Sequence, residues 1–413
     1  MYFEPYFVEA GKEIAIIILD IVFISFLLCI SILTIELNCK KKEIKNILYI
    51  GIVLQILIAI VDHFFYAVPT IQIDPRMFER FAWYSYIYDI DLGRGVYSFW
   101  ILNPVYKLLK IRAAMIFSVL NIFFAVLTNL NIYKILKKLK ISFKIIKVLI
   151  GISALSPISL IMKTGIQREA IIILLISYSI RNFIEYILDK DSLKMIKAFI
   201  FIGIASMFHG GVIFIASGYV IIFFTGKNQK TIQYFLFIII IILFIFFKDV
   251  LLEKVGGGDI DAILAANNRD VLKNAGSGYL KNVSTSNIGE MILYLPLFIF
   301  YFLYSPTPDM IRGILDIITF LLNSTIFIYL TIYGYYVYTK VKYNLNFLEK
   351  KIVKGLLISL IFTIIVFSIG TRNAGTAMRH RDKIIPILII IFAILKNKYI
   401  LLRERKGYET RTY

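Results

Sequence analysis

Apolar runs of fifteen or more residues recur along the whole of this 413-residue chain, and nothing between them is long enough to form a separate soluble domain. A hydrocarbon core of ~30 Å takes roughly 20 residues of helix to cross. A helix satisfies its own backbone hydrogen bonds there, where no water is at hand to do so. The amino-acid usage agrees: 59% of residues are hydrophobic and the mean hydropathy is +0.79, against the roughly 45–50% apolar share of a soluble domain. The expectation is an all-α polytopic membrane protein, with residues 1–413 forming a single integral membrane domain.

The runs place helices at about 14–35, 46–66, 112–133, 147–163, 169–188, 195–209, 211–225, 231–247, 313–338, 353–369 and 383–397. A further run, 289–304, is short and interrupted by Pro296. If it crosses, the lysine-rich 340–354 and the basic C-terminal segment fall outside. If it is re-entrant or lies at the surface, both fall inside, as the positive-inside rule requires. The second choice gives about 11 spans, with the N-terminus outside and the C-terminus cytoplasmic. It also gives two extracytoplasmic loops, 67–111 and 248–312, the latter containing the short segment. On that layout the inside segments hold 27 Lys+Arg against 8 Asp+Glu, and the remainder holds 19 of each. The net charge of +19 is therefore cytoplasmic. Basic charge reads as a topology and anionic-lipid signal, and nucleic acid is not an expected partner.

Cys29 and Cys39 lie in an apolar run and beside lysines, so they point to neither a disulfide nor a metal site. No cleavable signal peptide is expected, since the first run is long and follows Glu4, Glu9 and Glu13. No metal and no cofactor are expected. The residues that carry chemistry gather on the outer face. Arg168 and Glu169, in "GIQREAIII", stand at the mouth of an apolar helix. The plain alternative for such a pair is an interfacial anchor. His209 ends a helix in "FHGG", where it is either a packing histidine or a site residue; the glycines let another helix or a ligand approach. Arg372, Arg379 and Arg381, in "TRNAGTAMRHRD", break the positive-inside trend. They are either a solvated loop or an anion site, for the guanidinium fork suits phosphate oxygens. Asp74 and Glu79 lie in the 67–111 loop among Trp83, Tyr84, Tyr86, Tyr88, Tyr97 and Trp100. Carboxylates among aromatics serve sugar binding, and an interfacial aromatic belt has the same composition.

Taken in order, "DPRMFERFAW", "QREAIII", "FHGGVIF", "GSGYL", "YFLYSPTPDMI" and "RHRDKIIPILI" resemble bacterial polysaccharide polymerases. These are the O-antigen and capsule polymerases often called Wzy and their EpsG-like relatives, and the resemblance covers roughly residues 60–395. One departure is Asp309, where similar sequences tend to have an aromatic. The resemblance implies a GT-C-like fold in a bacterial plasma membrane. It implies polymerisation of undecaprenyl-diphosphate-linked oligosaccharide units for O-antigen, capsule or exopolysaccharide, with membrane lipids and a chain-length regulator as partners. Arg168, Glu169, His209, Asp74 and Glu79 would then be the catalytic candidates. Arg372, Arg379, Arg381 and Tyr279 would bind diphosphate or glycan. Arginines would stabilise the departing diphosphate in place of a metal, and a carboxylate or imidazole would take the acceptor's proton. Two rivals stand beside this: another GT-C-like glycosyltransferase or O-antigen ligase, and, in a different class, a flippase for the same lipid-linked units. A transporter should show midplane charges and repeat symmetry; mid-helix acids are confined to Asp20 and Asp316, and no repeat is visible.

Overall fold

The computed structural model describes residues 14–65, 74–89, 97–225, 277–280, 283, 288–311 and 313–409. Among these the chain is helical without a strand, apart from one isolated bridge between Gly278 and Asn373. Among the described residues, seven helices are long and apolar enough to cross a membrane, which makes this a polytopic membrane protein. The expected span at 231–247 lies outside the described residues.

The chain divides into two compact units, 1–138 with 146–177, and 139–145 with 178–413. In the first unit, α1 (Ile14–Asn38) and α2 (Lys42–Ile60, continued by a π turn at Val61–Phe65) come first. They are followed by α3 (Asp74–Tyr88), a π turn at Ser98–Leu102 and α4 (Asn103–Leu109). The described residues of the 67–111 stretch, expected as a loop between spans, thus include two short helices. Next come α5 (Met115–Lys138), α6 (Phe143–Leu155) and α7 (Pro157–Met162). The single helix expected at 147–163 is therefore two. Ser156 is extended, as the residue before a proline prefers, and Pro157 opens the next helix, where its missing N–H does no harm. Helix α5 is the pillar of this unit, packing against both α1 and α2. Its three asparagines are buried; two of them bond serines of the same unit, Asn129 to Ser153 at 2.6 Å and Asn131 to Ser177 at 3.0 Å.

Helix α8 (Glu169–Asp189) leads into the second unit, which holds α9 (Ser192–Phe208), a 3-10 turn at Gly210–Ile215 and α10 (Ala216–Phe224). After residues that are not described come α11 (Ile288–Tyr304) and a π-rich helical stretch built from α12 (Ile314–Thr319), α13 (Thr325–Ile328) and α14 (Gly334–Val341). The unit closes with α15 (Phe347–Ile369) and α16 (Ala374–Glu409). Helix α16 begins well before the expected 383, because Asn373 caps it: its Oδ1 accepts from the N–H of Gly375 at 2.8 Å and of Thr376 at 3.3 Å. The arginines expected on a loop at 379 and 381 are therefore helical. Helix α15 is central here, packing on α10, α11 and α16. At its crossing with α10 the backbones touch: a Cβ added at Gly218 would collide with the Gly355 carbonyl. Small residues permit this close approach of helices in a membrane.

Candidate functional site

In the first unit the deepest feature is an ion pair. Glu79 is fully buried on α3 and accepts from Arg112 twice, Nε to Oε1 at 2.8 Å and Nη2 to Oε2 at 2.5 Å. Tyr106 of α4 adds its hydroxyl to Oε1 at 2.7 Å. This bidentate fork is the strongest ion-pair geometry the side chains offer. It ties α3, α4 and the entry to α5 together, so Glu79 acts as an anchor of the hairpin and not as a group facing an open site. One turn earlier on α3, Arg76 is also buried. Asp74 is the first residue of α3; its side chain is not among those described.

The turn carrying Arg168 and Glu169 is held from beneath by Asn121, fully buried on α5. Its amide donates to the carbonyls of Gly165 at 2.6 Å and Gln167 at 2.9 Å. Glu169 is buried as the first residue of α8, where the helix dipole favours a carboxylate. Arg168 precedes the helix and is half-buried, its guanidinium 5.5 Å from the centroid of the Phe78 ring. Tyr97 shares this neighbourhood. Burial pushes its phenol up, a hydrogen bond with the Asn121 side chain pulls the other way, and the charge of Glu169 adds to the rise. Lys163, at the end of α7, is buried with its ammonium 3.1 Å from the Ser159 hydroxyl.

The second unit brings together segments nearly a hundred residues apart. Tyr279, in "GSGYL", donates its backbone N–H to the Arg372 carbonyl at 3.0 Å and its hydroxyl to the Thr371 carbonyl at 2.7 Å. Ala374 returns a bond to Ser277 at 2.9 Å. The ring of Tyr279 stacks on Tyr301 at 5.1 Å and is buried, which raises its phenol pKa, while the charges of Arg381 and Arg372 oppose that rise. Arg372 donates to the Val283 carbonyl at 3.3 Å and lies 4.2 Å over Phe298. Its burial lowers the guanidinium pKa, and Tyr279 counters the effect. Arg381 is fully buried. It donates to the Leu303 carbonyl at 2.6 Å and to the Ser305 carbonyl, closing the C-terminal end of α11, with Phe327 5.1 Å away. Arg379 is half-buried on the first turns of α16.

His209 ends α9 and is half-buried. Its ring meets His380 edge-on at 4.7 Å and Phe367 at 5.4 Å, and His380 stacks on Phe367 at 4.9 Å. Lys383 lies 3.0 Å from His380 Nδ1. The second glycine after His209 does admit a close neighbour: a Cβ at Gly211 would fall 2.5 Å from the Phe367 ring. No three of His, Cys, Asp and Glu group as metal ligands among the described residues.

The structure thus gathers Arg168, Glu169 and Glu79 in one unit, and Arg372, Arg381, Tyr279 and His209 in the other. Sequence reasoning missed Arg112, Tyr106, Asn121, Lys163 and the His380–Lys383 contact. Asn121 and Lys163 had a readable signal, since a polar residue inside an apolar run needs a partner. No family model, no curated protein and no solved structure matches this chain.

Proposed function

We propose that the protein is a membrane glycosyltransferase that polymerises oligosaccharide units carried on a polyprenyl diphosphate, in a GT-C-like arrangement. The observation that carries the proposal is the convergence of segments which the polymerase resemblance picks out from distant parts of the chain. "DPRMFERFAW" meets "QREAIII" through Phe78 and Arg168. "GSGYL" stacks on "YFLYS" through Tyr279 and Tyr301, and "RHRDK" holds the end of "YFLYS".

Polymerisation needs two lipid diphosphates, one on the donor chain and one on the acceptor unit. Arg168, half-buried at the mouth of α8, is proposed to meet one of them. Arg372 and Arg381 are committed to backbone carbonyls, and in this proposal they position α11 and the 277–283 segment. Glu79, bound on both oxygens, is likewise a positioning residue. The acceptor hydroxyl gives its proton to a carboxylate or imidazole drawn from Asp74, Glu169 and His209. The anomeric carbon–oxygen bond to the donor diphosphate breaks as the new glycosidic bond forms, and the arginine offsets the charge on the leaving group.

The test is the surface polysaccharide of a strain deleted for this gene, with and without a plasmid copy. Single repeat units on the surface lipid, restored to long chains by the plasmid, are the expected result. Loss of every repeat unit assigns the protein to a flippase or ligase, and an unchanged profile removes it from the pathway.

A further inference from the structure

The hairpin of α3 and α4 has its polarity reversed for a helix pair in water. On α3 the buried face carries Arg76, Glu79 and Ala82, while Tyr84, Ile87 and Tyr88 are exposed, with Tyr84 and Tyr88 stacked at 6.1 Å. On the other limb Ser98, Leu102, Asn103 and Tyr106 are buried, whereas Trp100 is 64% and Leu108 79% exposed. The limbs are fixed to one another. Ser98 Oγ donates to the Phe78 carbonyl at 3.0 Å, Asn103 to the Ala82 carbonyl at 3.2 Å, and Trp83 meets Tyr106 at 5.2 Å. An exposed ion pair, Asp89 with Lys107 at 3.9 Å, gives this surface a polar edge. The exposed aromatics are therefore a fixed feature of a built element.

What covers them follows from two comparisons. Helix α3 has 15 residues, a length of about 22 Å that falls short of a ~30 Å core. The exposed large side chains of α1, which is long enough to span, include Ile18, Ile21, Val22, Ile32, Leu33 and Leu37. That face holds no tryptophan or tyrosine, as suits contact with acyl chains. The hairpin instead presents Tyr84, Tyr88 and Trp100, the residues that collect at headgroup level because one end is apolar and the other hydrogen-bonds. A patch of this kind with a charged edge matches the chemistry of the membrane boundary.

We propose that the α3–α4 hairpin lies in the headgroup–acyl boundary of the protein's own bilayer, with Tyr84, Tyr88 and Trp100 embedded among phospholipids. The hairpin then fixes the depth of its unit, and Arg168, which rests on Phe78 of α3, sits at the level of lipid phosphates. This inference is independent of the glycosyl-transfer proposal.

The chain has two tryptophans, Trp83 and Trp100, so indole fluorescence isolates the site. The full-length protein is placed in phosphatidylcholine–phosphatidylglycerol vesicles whose acyl chains carry bromine either near the ester or near the methyl end. Trp83→Phe leaves Trp100 as the reporter. The difference between wild type and Trp100→Phe supplies the same signal if the first variant does not fold. Shallow bromine should quench Trp100 roughly twofold or more above deep bromine, with little quenching by aqueous iodide. Strong iodide quenching without bromine quenching overturns the proposal in favour of a water-facing surface open to glycan. Deep bromine acting as strongly as shallow overturns it in favour of the acyl core.

Discussion

In the first unit the buried guanidinium of Arg112 meets a carboxylate, Glu79, whereas in the second those of Arg372 and Arg381 meet backbone carbonyls. The carboxylate supplies a full opposite charge and can be removed by mutation. The carbonyls that Arg381 takes belong to the end of α11, where the last four of a helix lack partners of their own and the dipole is negative. One arginine therefore completes an ion pair and the other completes a helix terminus. The comparison separates what a substitution would undo: in the first unit a charge is stranded, in the second a helix end is opened.

The largest effect is expected at Glu79. Glu79→Ala strands Arg112 in a buried position, a loss of about 3–5 kcal/mol for breaking a buried pair. It should appear as a collapse in the yield of folded protein and in its melting temperature in detergent. Replacing both partners, Glu79→Leu with Arg112→Met, should recover most of that loss. A single variant as stable as the wild type would sink the pairing. Next is Arg381→Ala, which leaves the Leu303 and Ser305 carbonyls open. Charge-assisted bonds of this type are worth about 1.5–3 kcal/mol. Limited proteolysis should cut beyond Tyr304 sooner in this variant, and in Arg381→Lys to a smaller degree; an unchanged pattern removes the capping role. Asn121→Ala removes the two bonds to the 165–167 turn, at about 0.5–1.5 kcal/mol each, together with the hydrogen bond to Tyr97, and should lower the melting temperature modestly while impairing polymer formation. Retention of full polymer length would show that the 165–167 turn holds without Asn121.

Smallest in stability is Arg168→Lys, expected within about 0.5 kcal/mol of wild type because the side chain is half-exposed. Its effect falls on activity instead. Lysine keeps the charge and loses the fork, which lowers polymer formation roughly ten- to a hundredfold if the contact tightens in the transition state. Full polymer length from this variant returns Arg168 to the role of an anchor.

Much of the helical layout was legible in the sequence, for a physical reason. A helix that must satisfy its backbone inside a membrane leaves a long apolar run, so α8 was expected at 169–188 and is found at Glu169–Asp189. Breaks and starts were harder. Pro157 and Asn373 carried local signals, a proline at a helix start and an asparagine cap, which the continuous hydropathy around them masked. The candidate site was legible only as residue types. Nothing local marks Arg112 as the partner of Glu79, since the two are separated in the chain and joined by the hairpin turning back. Likewise the three arginines at 372, 379 and 381 look alike in the sequence. Only their neighbours show that two are held by carbonyls while Arg379 stays half-buried.

The crossing of α10 and α15 at Gly218 and Gly355 has a consequence for biogenesis. Helix α10 leaves the ribosome well over a hundred residues before α15 exists. At ordinary synthesis rates the delay is on the order of ten seconds. Throughout it Gly218 of α10 is without the backbone that it approaches in the finished fold. The second unit therefore assembles late, at one moment, when α15 arrives and docks on helices already waiting. A stop codon anywhere before Phe347 should leave α10 without its partner helix, and the truncated chain should be degraded faster than the full-length protein.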